Sequence, residues 1–343
     1  MAPKFPQRKI GDDLVSAMGL GCMGMSIALS SGLNDEESLK VLTAAADMGI
    51  NFWITSNSYG PFVNESLLGR WFLETGRRDE IFLATKFGVR ITPGQAPEIC
   101  GTPEYVQEAC EASLKRLNTD HIDLYLQHRV DTQTPIEKTV GAMKKLKEEG
   151  KIRYLGLSEC SAKTLRRANK VHQIAATEME FSPFALEIES SETGFLETAR
   201  ELGVKIVAYS PLGKGFLTGT IRSRDDFDEK DVRKQFPRFS EENFGGNLKL
   251  VEGLEGMAKE KGCTTSQLAL AWVLAQGDDI IPIPGTKHIK YLQQNAGAVN
   301  VEFSKEDDER IRKIIESVGG TKGVRYPGAF LSWCFGDSVE LET

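Results

Sequence analysis

The amino-acid sequence predicts an α/β protein of the (β/α)8 or TIM-barrel class. Eight short β-like runs alternate with segments whose apolar residues recur at helical spacing, and a helix or long loop follows each run. An open doubly wound sheet would need a G-x-G-x-x-G turn after its first strand. The chain instead reads GLGCMG from Gly19, and no helical pattern follows at once. The 343 residues, 40% of them hydrophobic, suffice to build such a barrel as one unit.

The predicted strands are short apolar runs bounded by turn residues. In chain order they are 15–20, 51–55, 81–86, 122–127, 154–158, 175–180, 205–209 and 279–283. Helical spacing of apolar residues predicts helices at 36–48, 103–117, 139–149 and 266–274. Asn34 and Thr102 are typical residues at the start of a helix, and Gly150 is typical just after its end.

The sequence predicts one domain over residues 1–343, with two stretches outside the regular repeat. The segment at about 213–246 is long, charged and rich in Gly, Arg, Asp and Phe, and a loop of this length in a compact domain is usually functional. The tail 319–343 contains Gly, Pro and aromatic residues without clear periodicity. We expect it to wrap the barrel.

Composition and charge argue against several classes of partner. The formal net charge is −7 and there is no basic cluster, so we expect neither nucleic acid nor acidic membrane as a partner. The 6 cysteines lack C-x-x-C pairs and the ligand spacing of a metal site, and we interpret them as reduced thiols. There is no signal-like or membrane-spanning apolar stretch. We therefore expect a cytoplasmic protein without a metal, whose oligomeric state the sequence leaves open.

Three polar side chains follow consecutive predicted strands, at the end of a barrel where reactive groups stand. They are Tyr59, Lys86 and His128. Taken alone, each of these three residues is more often a packing residue or a solvated strand end. Such explanations would have to hold independently for each residue, whereas one shared site would explain all three. An ammonium near a phenol favours the phenolate and lowers the tyrosine pKa. The sequence therefore predicts an acid–base site here.

Seven ordered motifs cover essentially the whole chain: GLGCMGMS, ATKFG, IDLYLQHR, GKIRYLGLSE, AYSPLGKGFLTG, IPIPGTKHIKYLQQNAGA and GGTKGVRYPG. By these motifs the chain resembles the aldo-keto reductases, in particular a fungal and bacterial branch related to pyridoxal reductases. The resemblance implies a barrel that transfers hydride from NADPH to the carbonyl of a small molecule. It also implies that Tyr59 is the general acid, that Lys86 depresses its pKa and that His128 orients the substrate oxygen.

The resemblance further implies the residues that bind the cofactor. Ser158 and Glu159 would hold the nicotinamide amide, with Glu178 at a nearby position, and Tyr209 would stack on the ring. The remaining positions are Ser210, Leu212 and Gly215 for the pyrophosphate, Gly285, Thr286 and Lys287 for phosphate, and Gln294 and Asn295 for the adenine.

The chain departs from the family pattern at three positions. Ile54 replaces the aspartate that pairs with the lysine, Glu178 replaces a glutamine, and Tyr291 replaces an arginine. We expect Lys86 to lack a carboxylate partner and carbonyl reduction to be weakened. The alternatives are an NADPH-binding regulatory barrel and a non-redox biosynthetic barrel that uses Tyr59 and His128. The sequence does not name the substrate.

Overall fold

The computed structural model describes residues 5–27, 34–92 and 94–342. The strands are β1 (Gln7–Ile10), β2 (Asp13–Ser16), β3 (Leu20–Gly21), β4 (Phe52–Ile54), β5 (Phe82–Phe87), β6 (Val89–Arg90), β7 (Glu98–Ile99), β8 (Ile122–Gln127), β9 (Ile152–Ser158), β10 (Ile174–Glu180), β11 (Lys205–Tyr209) and β12 (Ile280–Pro282). The helices are α1 (Asp35–Asp47), α2 (Val63–Thr75), α3 (Pro103–Leu117), α4 (Ile136–Glu148), α5 (Ala162–Val171), α6 (Phe195–Glu201), α7 (Glu241–Glu260), α8 (Thr265–Ala275), α9 (Ile289–Ala296) and α10 (Lys305–Ser317).

The predicted barrel is confirmed. An 8-stranded sheet has the order β12-β11-β10-β9-β8-β5-β4-β3, and every neighbouring pair is parallel. Its two ends meet, because the N–H of Gly19 donates to the carbonyl of Pro282 at 2.9 Å and Gly21 bridges Gly285. Closure brings the carboxyl ends of all eight strands to one mouth.

The predicted first strand, 15–20, is wrong. Residues Asp13–Ser16 instead pair with Gln7–Ile10 in an antiparallel hairpin whose turn includes Gly11 at φ 58°. The barrel strand is Leu20–Gly21. Ile10 and Val15 are buried in the apolar cluster that fills the barrel. Val15 is therefore apolar because it belongs to a hairpin that covers the amino-terminal end of the barrel. The other predicted strands are confirmed with end shifts of up to two residues.

The predicted helices and caps are also confirmed, with shifts of up to three residues at their ends. The side chain of Asn34 accepts from the N–H of Glu37 at 3.2 Å, and that of Thr102 accepts from the N–H of Tyr105 at 3.4 Å. Gly150 has φ 76° just beyond α4. Within the described ranges, no helix combines the length and apolarity needed to cross a membrane.

Strand alternation decides which side chains enter the barrel. Along β5, Phe82 and Ala84 lie in the interior cluster, so Lys86 continues the same inward row. On β10, Ala176 lies in that cluster, and Glu178 and Glu180 follow it at spacings of two. The barrel is thus apolar in its middle and charged at its carboxyl mouth.

The segment after β11 and the tail both lie near this mouth. The former contains 3-10 turns at Gly213–Thr218, Arg224–Asp226, Val232–Gln235 and Pro237–Phe239. In the tail, Gly336 donates to the carbonyl of Glu159 at 2.8 Å and accepts from the N–H of Ser161 at 3.0 Å. The organisation as one domain over 1–343 stays a prediction, and residues 1–4, 28–33, 93 and 343 of that range lie outside the described residues.

Candidate active site

The structure brings Tyr59, Lys86 and His128 together. Tyr59 lies in the turn after β4, and this turn is tied to β5 because the N–H of Asn57 donates to the carbonyl of Lys86 at 3.1 Å. Nζ of Lys86 lies 4.9 Å from the centroid of the Tyr59 ring. The His128 ring, one residue beyond β8, is edge-on to Tyr59 with a centroid distance of 5.8 Å. A phenol, an ammonium and an imidazole therefore share one corner of the mouth.

The expectation that Lys86 lacks a carboxylate partner is wrong. Nζ lies 2.9 Å from Oε2 of Glu178 and donates to Oε1 at 3.2 Å. The lysine side chain is fully buried and that of Glu178 is 5% exposed. Glu178 reaches the lysine because β10 lies across the barrel and both side chains point inward. The carboxylate comes from a strand that is distant in sequence, which is why local inspection around Ile54 missed it.

The pKa directions define the protonation states. Burial raises the pKa of Tyr59; the charge of Lys86 opposes this rise and that of Glu178 adds to it. Lys86 thus lowers the tyrosine pKa in the predicted direction, but burial outweighs its effect and the pKa of Tyr59 is raised overall. Burial lowers the pKa of Lys86, but the charges of Glu178 and Tyr59 raise it above its ordinary value overall. At neutral pH the site holds a protonated phenol beside a charged ammonium.

His128 is a neutral imidazole. Burial lowers its pKa well below the ordinary value, and the charges of Arg129 and Lys86 act in the same direction. The hydroxyls of Ser56 and Ser58 lie 3.2 and 3.3 Å from Nδ1. Donation by one of them leaves the ring proton on Nε2, where it can serve as a hydrogen-bond donor.

A second buried network joins the tail to the mouth. Both carboxylate oxygens of Glu159 accept from Arg325, at 2.8 and 2.9 Å, and the Tyr209 hydroxyl donates to Glu159 at 2.9 Å. Glu180 accepts from Lys214 at 2.7 Å. Sequence reasoning missed Arg325, Glu180 and Lys214. The sequence could have indicated Glu180, because it follows Glu178 at a spacing of two and therefore lies on the same face of a predicted strand.

This network changes the expectation for Glu159. Its backbone is left-handed, with φ 50°, and its side chain is buried and directed to Arg325. A role of this residue at the nicotinamide stays a prediction, while the contact that exists is with the tail.

Several features fit a nicotinamide cofactor at this mouth. Oε2 of Glu178 is buried 2.9 Å from the Lys86 ammonium, and because a carboxylate oxygen has more than one lone pair it can also accept from an amide N–H. The Tyr209 ring is held in place because its hydroxyl donates to Glu159 and accepts from the hydroxyl of Tyr326. Ser158 is buried at the end of β9, within 3.3 Å of Arg129 Nη1.

The predicted phosphate and adenine positions lie around β11, β12 and α9. Ser210 and Gly215 have φ 49° and 92°, and Leu212 lies between them in the same turn. Gly285 and Thr286 follow β12, and Thr286 accepts from the N–H of His288 at 3.1 Å. Lys287 then precedes α9. On that helix Asn295 is buried, and Gln294 donates to Thr264 at 3.0 Å. Within the described part of the chain, no group of His, Cys, Asp and Glu could hold a metal ion.

Comparison with known proteins supplies the family. The model of the aldo/keto reductase family matches residues 17–316. This chain belongs to the aldo/keto reductase family. It is accordingly an oxidoreductase, and the motifs that predicted the resemblance lie largely inside the matched range.

Relatives of this aldo/keto reductase extend over nearly its full length. It is 50% identical over 340 residues to aldo-keto reductase yakc of Schizosaccharomyces pombe, whose name includes NADP(+), covering 98% of this chain and 99% of that one. It is 50% identical over 344 residues to aldo-keto reductase str7 of Strobilurus tenacellus, with the same coverage of 98% and 99%.

Solved structures agree on the architecture. The glycerol dehydrogenase AKR11B4 of Gluconobacter oxydans superposes with a TM-score of 0.84 at 26% identity, covering 96% of this chain and 100% of that one. The aldo-keto reductase AKR11C1 of Bacillus halodurans, in its holo form, gives 0.73 at 27% identity, covering 94% and 98%.

Proposed function

We propose that this protein reduces an aldehyde or ketone to an alcohol with NADPH as the hydride donor, and that Tyr59 is the general acid. The observation that carries the proposal is the grouping of Tyr59, Lys86 and neutral His128 at one corner of the barrel mouth. The name of the relative yakc supports the choice of cofactor.

The protonation states suit reduction. When bound, NADPH supplies the hydride. Negative charge builds on the substrate oxygen during this transfer, and the Tyr59 phenol, protonated because its pKa is raised, donates a proton to that oxygen. Nε2–H of His128 can donate a hydrogen bond to the same oxygen, and the charge of Lys86 stabilises the phenolate that remains. In these roles Tyr59 and His128 would both donate to the carbonyl oxygen of the substrate.

The residues around β11 and β12 complete the proposed cofactor site. Ser158 and Glu178 would meet the carboxamide, Tyr209 would stack on the ring, and the turn with Gly215 would approach the pyrophosphate. Lys287 would neutralise the 2′-phosphate beside the start of α9. We place the reaction in the cytoplasm, because all described cysteines are free thiols.

The test is the loss of NADPH absorbance with a panel of aldehydes and ketones. We expect Tyr59→Phe to lower kcat by about 10²-fold or more, since general acids contribute roughly 10² to 10⁴. NADPH affinity, measured by fluorescence, should stay within about twofold, because the hydroxyl acts in the transition state. Tyr154→Phe is the control: its hydroxyl accepts from the N–H of Asp12, at the opposite end of the barrel. Full activity of Tyr59→Phe would overturn the proposal.

A further inference from the structure

We propose that Glu178 is the counter-ion that holds Lys86 charged and in position, taking over in this chain the work of a carboxylate at residue 54. This inference rests on the proposed carbonyl reduction. Among the described residues, Glu178 is the one carboxylate within ion-pair distance of Lys86 Nζ, at 2.9 Å. A buried ammonium without such a partner would lose its proton readily.

Residue 54 and residue 178 face the same space. Ile54 is 1% exposed and belongs to the cluster inside the barrel, and it pairs in register with Ala84, two residues before Lys86 on the inward face of β5. Glu178 enters the same interior from β10. A carboxylate at either position would compensate the charge of Lys86, whereas carboxylates at both would repel each other. The apolar residue at 54 and the acidic residue at 178 therefore form a compensating pair.

The position of Glu178 gives it a second capacity. Oε1 accepts a hydrogen bond from Lys86 at 3.2 Å, and Oε2 lies 2.9 Å from the same ammonium. Because an ionised carboxylate has about four lone-pair sites, Glu178 can hold the lysine and still accept a donor from a bound ligand. Glu178 is a positioning residue for Lys86, and through it for Tyr59.

The experiment compares wild type with Glu178→Gln, Ile54→Asp and the double variant Ile54→Asp/Glu178→Gln. For Glu178→Gln we expect kcat to fall about tenfold or more, since misplacing a catalytic group is costly. The alkaline limb of its kcat–pH profile should move to lower pH by about one unit or more, because Lys86 loses its proton earlier. Ile54→Asp alone should give no gain. The double variant should recover both the rate and the pH profile.

Two control variants distinguish the effect of losing the Glu178 charge from a general loss of folding stability. Asp123→Asn removes a buried carboxylate paired with Arg78 at the opposite end of the barrel and should leave the pH profile unchanged. Glu178→Asp keeps the charge and should keep the profile even if kcat falls. The denaturation midpoint without cofactor is a readout independent of activity: it should fall in Glu178→Gln and recover in the double variant.

The outcomes are distinguishable. An active wild type whose profile and midpoint do not change in Glu178→Gln would overturn the counter-ion role and leave carbonyl reduction intact. Failure of the double variant to recover, although Glu178→Asp is active, would also overturn it. An inactive wild type that binds NADPH would instead overturn the proposed function.

A separate observation concerns charge balance at the mouth. The carboxylates of Glu178, Glu159 and Glu180 are paired with Lys86, Arg325 and Lys214, respectively. Arg129 has no such partner, because no described carboxylate lies within ion-pair distance of its guanidinium. Its Nη1 donates instead to the carbonyl of His128 at 2.7 Å and to the hydroxyl of Ser158 at 3.3 Å. An excess positive charge therefore stands beside the reacting groups.

We infer that Arg129 forms an anion subsite for a carbonyl substrate that carries a carboxylate, which also rests on the proposed function. The guanidinium is planar and can bind a carboxylate through two N–H groups. It is half-buried, so the interaction is less screened than on an open surface. It directly follows His128, which places the anion subsite next to the proposed carbonyl position.

The test is the ratio of kcat/KM for 4-carboxybenzaldehyde to that for its methyl ester. We expect wild type to prefer the acid by about tenfold or more, as charge-assisted contacts allow, and Arg129→Met to lose that preference. Arg90→Met is the control, because it removes an equal charge from the exposed Arg90–Glu98 pair and should keep the ratio. A ratio near one in wild type, or the same ratio in Arg129→Met, would overturn the subsite. A preference for a phosphorylated aldehyde over 4-carboxybenzaldehyde would overturn the carboxylate assignment.

Discussion

Replacement of Arg325 by methionine would remove the guanidinium that joins the tail to the barrel mouth. Arg325 donates to both oxygens of Glu159, at 2.8 and 2.9 Å, and its side chain is 3% exposed. The substitution keeps a similar apolar length but leaves Glu159 buried without its cation. Breaking a buried pair by removing one partner costs about 3–5 kcal/mol. We expect Arg325→Met to lower the free energy of unfolding by about that amount at neutral pH.

The same pair predicts a pH dependence of known sign. Burial raises the pKa of Glu159, but Arg325 lowers it to about 2 overall, from 4.5. The depressed pKa contributes stability that is present above 4.5 and is lost as pH falls toward about 2. In Arg325→Met the unpaired carboxyl takes up its proton at higher pH. The difference in stability between wild type and variant should therefore shrink as the solution is acidified.

The assay is urea unfolding followed by tryptophan fluorescence at a series of pH values. Arg166→Met is the control, since Arg166 and Glu201 form an ion pair at 2.6 Å with side chains 42% and 57% exposed. Such surface pairs contribute about 0–1 kcal/mol. A loss in Arg325→Met no larger than in this control, or a loss that does not change with pH, would refute the reasoning.

Further predictions concern cofactor choice, pH and barrel closure. Lys287→Ala should remove most of a preference for NADPH over NADH of roughly 1–3 kcal/mol, measured as dissociation constants; equal constants in wild type would contradict this assignment. Because burial raises the pKa of Tyr59, carbonyl reduction should persist above the ordinary tyrosine value of about 10 in a kcat–pH profile, and the reverse alcohol oxidation should rise toward alkaline pH. A decline of reduction well below that value would contradict the protonation state. In Gly285→Ala a new Cβ would lie 2.8 Å from the carbonyl oxygen of Gly21, so the two strands that close the barrel must move apart. We expect the free energy of unfolding to fall by about 1–3 kcal/mol. An unchanged denaturation midpoint would contradict this prediction.

The sequence alone determined the architecture and the members of the proposed acid–base site. Strand and helix periodicities are local properties, so β8 and β11 were predicted to the residue. Tyr59, Lys86 and His128 were found because the carboxyl ends of barrel strands converge, which needs only their order along the chain. The one misplaced strand, 15–20, shows the limit of this reasoning: a buried hairpin residue such as Val15 has the same apolar pattern as a barrel strand.

Only the tertiary structure decided which charges meet. Lys86 and Glu178 are 92 residues apart, and Arg325 and Glu159 are 166 apart. Their contacts depend on strand register, inward alternation and the path of the tail, none of which is encoded near either partner. The sequence therefore identified Ile54 as a missing carboxylate, and the folded barrel supplied that charge from Glu178 on another strand. A buried ion pair is specified by three-dimensional proximity, because burial penalises any charge whose partner is not within a few ångströms.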